Sequence, residues 1–407
     1  MQKNLYFSLI TIHIVGLITY FFVFGTLNVY YGKIEYSDVN ILSVIYICVL
    51  ILTLTLVNIS YYSENNSSIF LLEIKKFSNF NYLILFAIVF IIIAYFYLNI
   101  GNIFSYTKAN LQENKQILKF AKIKNFIVIP LLFLLFFISI LKIFNQKKIL
   151  LNLIFIITCL FFISFFGRRI LGSLLILSLI ILYSQFHKKE FSNIFFKRII
   201  ILSFAASFIW ISFSNYYLHL RKHNFNNPTI GSLLDYDITI KNFGSRPSPF
   251  FHLNQIVNSN DKDLLFQSNG SLIIQSIENS IPKKILSNKR FISEDLLISN
   301  YALNTGQLDL SSNSLSLFIV EFSDVGVAVY LMFIISIILI YNVLLNLLRS
   351  NQILFLSFYS LAAITMFQIE IVTSTYFNVI IIGVMLVIFN FLLDLLKLNK
   401  FFLLEIK

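Results

Sequence analysis

The chain has 407 residues, of which 58% are hydrophobic and only 12% are charged. Soluble domains carry about 25% charged residues, so this chain cannot bury its apolar surface in a water-soluble core. The formal net charge of +12 is read as lysines facing anionic lipid rather than as a nucleic-acid footprint, and no nucleic acid is expected as a partner.

Two cysteines, Cys48 and Cys159, lie inside apolar runs and give neither a disulfide framework nor a metal cluster. The N-terminal stretch MQKNLYFSLITIHIVGLITYFFVFG has one lysine and no small-residue cleavage site. It reads as a retained first span.

Apolar runs follow at 5–25, 39–60, 81–100, 124–144, 148–166, 169–187, 198–217, 325–347, 352–371 and 375–396. Runs of roughly 18–25 residues suit membrane-crossing helices, so an all-α polytopic membrane protein with about ten transmembrane helices is expected. The basic short loops at 75–76, 145–148 and 187–198, Arg349 and the tail at 397–400 fall on one side. The positive-inside bias then puts both termini in the cytoplasm. Helices 1–7 occupy 1–217, a large extracytoplasmic loop 218–315, and helices 8–10 with a tail 316–407.

The first long outer loop, 101–123, carries Lys108, Lys115, Lys119 and Lys122. It suits either an amphipathic surface helix or a solvated basic loop. The 218–315 loop concentrates prolines and histidines and alternates apolar clusters with Gly and Pro. A cap of short helices is expected there, because loops of this length are usually functional or disordered.

Between two apolar runs stands Gly167-Arg168-Arg169, on the outer side and against the charge bias. Arginine at the bilayer centre costs about 2.5–3.5 kcal/mol on insertion scales. Either both arginines reach outer phosphates and end two helices, or one of them forms an anion site near a helix N-terminus. The large loop adds Arg221, Arg246 beside Pro247, and Lys289 with Arg290. Fixed cations, and guanidinium forks above all, suit a pyrophosphate. Tyr216, Tyr217, Phe250 and Phe251 are candidate cavity aromatics or membrane anchors.

Around 165–175 and 245–330 the pattern resembles the O-antigen polymerase family (Wzy-type oligosaccharide repeat-unit polymerases). The residues that carry the likeness are Ile281-Pro282 near Lys289-Arg290, then Glu294, the Ser-rich run from Ser311 to Ser314, and Glu321 with Gly326. The commoner Ile-Pro-Arg form is replaced here by Ile281-Pro282-Lys283. The resemblance implies a GT-C-like glycosyltransferase in the bacterial inner membrane. It would transfer a growing glycan from undecaprenyl pyrophosphate onto a new lipid-linked repeat unit. Membrane lipid, a chain-length regulator and a flippase of the same pathway are its implied partners.

A sugar hydroxyl acceptor needs a general base. His252, Glu294 and Glu321 are the candidates. The basic neighbours of Glu294 would hold it ionised and favour an orienting role. Glu321 precedes an apolar helix, and His252 is a lone loop histidine. Glu35 and Asp38 are a weak metal signal, and neither metal nor cofactor is expected. An O-antigen ligase acting on lipid A core is an alternative that would lean on His252. A lipid-linked glycan flippase or transporter is a second alternative, disfavoured by the absence of repeated halves.

The expected topology is testable with an impermeant thiol reagent in cells with a permeabilised outer membrane. A cysteine introduced by Ser259→Cys should react, and one introduced by Ser192→Cys should not. The reverse pattern would invert the topology.

Overall fold

The computed structural model describes residues 9–32, 34–64, 149–166, 248–258, 271–281, 313–369 and 373–395. Residues 87–92, scattered positions within 94–98 and 128–139, and residues 212, 215, 237 and 286 are also described. Among the described residues all regular structure is helical.

Helix α1 runs Leu9–Tyr30 and contains a π-helical stretch, Ile18–Val23. Helix α2 is Ile41–Glu64 and α3 is Ile149–Phe166. Two short helices, α4 (Pro249–Asn258) and α5 (Ser271–Ser280), lie in the large loop. Helix α6 (Ser314–Phe322) leads through a 3-10 turn, Ser323–Val325, into α7 (Gly326–Leu347). Helices α8 (Gln352–Phe367) and α9 (Thr373–Leu395) follow.

The stretches Leu9–Tyr30, Ile41–Ile59, Ser314–Leu347 and Thr373–Leu395 are long and apolar enough to cross a bilayer. Their outer faces confirm the solvent they are built for. On α2, Leu42, Ile45, Val49, Leu52, Leu56 and Ile59 are all exposed, at helical spacing. On α9, Val384, Met385, Ile388, Phe391 and Leu395 are exposed. Continuous apolar stripes of this kind face lipid, not water. The chain is an α-helical membrane protein.

Helices thus occupy six of the ten apolar runs picked out in the sequence. The runs 81–100, 124–144, 169–187 and 198–217 lie outside the described residues apart from 87–92 and scattered positions. So do the basic loops at 75–76, 101–123, 145–148 and 187–198, the tail at 397–400, and most of 218–315.

One boundary differs from expectation. The first span was expected to end at Gly25, yet α1 continues to Tyr30. Gly25 sits mid-helix, where a Cβ would lie 3.1 Å from the Phe250 ring. It gives α4 a flat docking place. The stop is Gly32, with φ of +67°, while Tyr31 N–H bonds Leu27 O at 2.9 Å and Gly32 N–H bonds Val29 O at 3.0 Å. A left-handed residue just past the last turn is how a helix closes its free carbonyls.

The core forms where α1 meets α7 and α8, with α9 packed on the far side of α7 and α8. A methyl at Gly16 would collide with the Phe367 carbonyl, so α1 and the end of α8 approach backbone to backbone. Close approach through small residues is the usual way helices associate in lipid, where no hydrophobic force draws them together. His13 lies beside this contact, fully buried. Its Nδ1 is 2.8 Å from Met366 O, and its Nε2 is 3.3 Å from the Tyr330 hydroxyl. A carbonyl only accepts, so Nδ1 carries the hydrogen and Nε2 accepts from Tyr330. One histidine therefore joins α1, α7 and α8.

Three glycine substitutions separate crowding from backbone strain. Gly16→Ala and Gly326→Ala force a methyl into backbone atoms of a neighbouring segment and should each cost about 2–3 kcal/mol. Gly32→Ala has nothing within 4 Å of its new methyl. It should cost only about 1 kcal/mol, for the left-handed backbone. Thermal midpoints in detergent should fall accordingly, and equal losses for all three would refute the crowding.

Candidate functional site

The site is built where α4 docks between the α1–α2 turn and α6. Ser248 precedes Pro249, and this pair starts α4 for local reasons. The Ser248 Oγ accepts from Phe251 N–H at 3.2 Å, and proline at the first helical position sacrifices no needed donor. Ser248 N–H donates in turn to Asn28 Oδ1 of α1 at 2.9 Å. The cap of α4 is thereby bolted to a fully buried amide.

Four more asparagines complete the attachment. Asn254 accepts from Asn40 N–H at 2.7 Å and donates to Asp38 O at 2.9 Å. Asn258 accepts from the Asn40 side chain at 2.7 Å and donates to Asp38 O at 2.9 Å. On the other side, Asn313 Nδ2 donates to Pro249 O at 3.3 Å, while its Oδ1 caps α6 by accepting from Ser316 N–H at 2.7 Å. A primary amide both donates and accepts, which lets an asparagine side chain tie one segment to another.

Helix α6 is buried along its whole first eight residues, Ser314 to Glu321. It folds back on the start of α7. Phe318 lies 5.7 Å from Tyr330 and 5.1 Å from Phe333, ring centre to ring centre. The reversal needs two special residues. Ser323 holds φ of +56°, a strained value for a residue with a side chain. Gly326 faces the Phe318 carbonyl and admits no Cβ there. Asp324, in the turn, accepts from the Tyr46 hydroxyl of α2.

Two of the candidate site residues fall within this layer. His252 is fully buried on α4, edge-on to Phe251 at 5.4 Å between ring centres. Glu321 is 3% exposed in the last turn of α6. The two helices pack against each other. Glu321 is badly placed for stability on two counts. A buried carboxylate is costly, and a negative charge at a helix C-terminus opposes the helix dipole. Residues that break local rules of this kind mark candidate functional places.

Arg168, Arg169, Arg221, Arg246, Lys289, Arg290 and Glu294 lie outside the described residues, as do Tyr216 and Tyr217. Phe250 is buried against Gly25 and acts as a helix contact. Glu35 and Asp38 belong to the α1–α2 turn, where Asp38 contributes its carbonyl to α4. Among the described residues no three His, Cys, Asp or Glu side chains gather to hold a metal ion.

The asparagine bridges were not anticipated from the sequence. Only the Ser248-Pro249 start and the Asn40 and Asn313 caps leave a local trace, as small polar residues directly before apolar helices. Comparison of the chain with protein-family models, with curated proteins and with solved structures finds no match.

Asn254 and Asn258 share Asp38 O but differ in burial. Asn254→Ala removes a buried side chain, strands the part-buried Asn40 N–H and should cost about 1–3 kcal/mol. Asn258→Ala opens an exposed bond that water replaces, and should cost about 0.5 kcal/mol or less. Thermal unfolding in detergent will rank them, and a larger loss for Asn258→Ala would refute the role given to Asn254.

Proposed function

We propose that this protein is a glycosyltransferase that polymerises undecaprenyl-pyrophosphate-linked oligosaccharide repeat units at the periplasmic face of the bacterial inner membrane. The observation that carries the reading is Glu321: a buried carboxylate at the end of a buried helix, two residues before the strained Ser323, beside the helix that bears His252. The sequence likeness to O-antigen polymerases around 245–330 supplies the reaction class.

The chemistry required is a glycosyl transfer. The hydroxyl oxygen of the acceptor sugar bonds to the anomeric carbon of the donor glycan. The bond from that carbon to the pyrophosphate oxygen breaks, and the electron pair leaves with the lipid-linked pyrophosphate. Glu321 takes the hydroxyl proton as the bond forms. Negative charge grows on the leaving pyrophosphate, so fixed cations bind it more tightly as the reaction proceeds. Arg168 or Arg169, with Arg246, takes that role, supported by Arg221, Lys289 and Arg290. Glu294 orients the acceptor. A chain-length regulator and a flippase of the same pathway are the proposed protein partners.

His252 favours a second reading. A fully buried histidine at the centre of a pinned helix suits an O-antigen ligase, in which the acceptor is lipid A core. Purified protein with lipid-linked repeat units and lipid A core distinguishes the outcomes. A ladder of products supports polymerisation, and a single core conjugate supports ligation. Flipping of lipid-linked glycan with no covalent product supports transport.

Glu321→Gln keeps size and hydrogen bonding but loses the base. The ladder-forming rate should fall about a hundred- to ten-thousandfold, with the thermal midpoint held or raised. Full activity in Glu321→Gln would remove Glu321 from the mechanism. On a helix adjacent side chains point roughly 100° apart, so only one of Arg168 and Arg169 is proposed to meet the phosphate. Lysine keeps the charge but loses the two-point fork. One of Arg168→Lys and Arg169→Lys should therefore lose the ladder at equal expression, and the other should keep it. Wild-type ladders from both, and from Arg246→Lys, would move the leaving-group site to Lys289, Arg290 and Arg221.

A further inference from the structure

Helix α5 is inside out for a helix in water. Its buried face carries serines: Ser276 is fully buried and Ser280 is 9% exposed. Its open face carries isoleucines: Ile274 is 58% exposed and Ile277 is 37% exposed, with Ile281 half-buried one turn on. Positions 274, 277 and 281 share one side of a helix, and 276 and 280 share another. A helix bordering water would turn the isoleucines inward and the serines outward.

The flank between these faces is polar. Gln275, Glu278 and Asn279 are half-buried there. Helix α5 thus has three faces: one of serines with Ile273 against the protein, one of bare isoleucines, and one polar edge. Helices that lie in the plane of a membrane interface divide their surface this way. The neighbours agree. Helix α5 packs on α9 and on α6. Helix α9 crosses the bilayer and exposes Val384, Met385 and Ile388. Helix α6 leads into the first turn of α7. The ends of α7 and α9 nearest α6 lie on one side, because α8 returns the chain between them. At that end α9 itself has no exposed residue before Val384, and the exposed isoleucines of α5, packed on α9, supply the apolar surface beside this bilayer-crossing helix.

We propose that α5 is an interfacial helix whose Ile274, Ile277 and Ile281 enter the acyl-chain region of the bilayer, so that this part of the large loop is seated in the membrane. Its occupant is phospholipid acyl chain. The Glu278 edge faces the headgroups, where a carboxylate stays hydrated.

Spin labels on the full chain in phosphatidylcholine vesicles test this. Labels are placed by Ile274→Cys, Ile277→Cys, Ile388→Cys and Tyr36→Cys in a Cys48→Ala, Cys159→Ala background. Collision with oxygen, relative to a water-soluble nickel complex, should be severalfold higher at 274 and 277 than at the exposed loop position 36. It should approach the value at 388 on α9. A ratio at 274 and 277 equal to that at 36 would place α5 in water and overturn the proposal. Suppressed collision with both reagents would mean that protein covers the face, and would overturn it equally. A photo-crosslinking benzoylphenylalanine at 274, with both native cysteines kept, gives an independent reading. A phospholipid adduct supports the proposal, whereas a polypeptide adduct or no adduct overturns it.

Discussion

A peptide group in hydrocarbon has no water to bond, and the described helix ends of this protein are shaped by that constraint. At several helix ends a side chain supplies the missing partner. His13 donates to Met366 O, a carbonyl freed in the last turn of α8. Tyr341 donates to Tyr376 O across from α7 to α9 at 3.0 Å. Asn351 and Asn313 cap the N-termini of α8 and α6. Hydroxyls inside the spans fold back on their own helix: Thr53 bonds Val49 O, and Thr365 bonds Leu361 O. Such back-bonds hide polar atoms without needing a neighbour.

The same constraint explains why α4 and α6 can be short and irregular near the bilayer. Both are largely buried in protein; α4 has backbone groups met by Asn28 and Asn313 from other segments, and α6 is capped by its own Asn313. Non-helical backbone at this depth is tolerated only under such cover. The reversal at Ser323 is then held on both sides, by Gly326 against Phe318 and by Tyr46 on Asp324. Strain at one residue persists when its surroundings leave no alternative. Glu321 sits two residues before that point. It is a buried carboxylate in a rigid setting, and this sets it apart from the exposed acids.

What was legible in the sequence follows from the range of each interaction. The apolar runs that became α2, α3, α7 and α9 were visible because crossing a bilayer demands a long uninterrupted stretch. The end of α1 was misplaced because Gly25 and Gly32 look alike in sequence, while only Gly32 takes a positive φ. Helix α6 was hidden because SLSLFIVEF is too short to span and is stabilised by α4, more than fifty residues earlier. The asparagine bridges join residues more than two hundred positions apart. No window of one sequence carries such a pairing. His252 and Glu321 were legible as titratable residues in a suggestive region, but their burial in adjoining helices was not, since burial is a property of the partners.

The choice of asparagine to fix the loop helix has an electrostatic consequence. An ion pair could have pinned α4 as firmly, but a buried pair must overcome a large desolvation cost and its charges are then committed to each other. Neutral amides hold α4 to Asp38, Asn40, Asn28 and Asn313 while leaving the local field unchanged. The titratable side chains of the described residues where α4 meets α6 are then Glu321 and His252. A layer held this way can place a titratable group against a substrate and keep the framework fixed as that group gains or loses a proton.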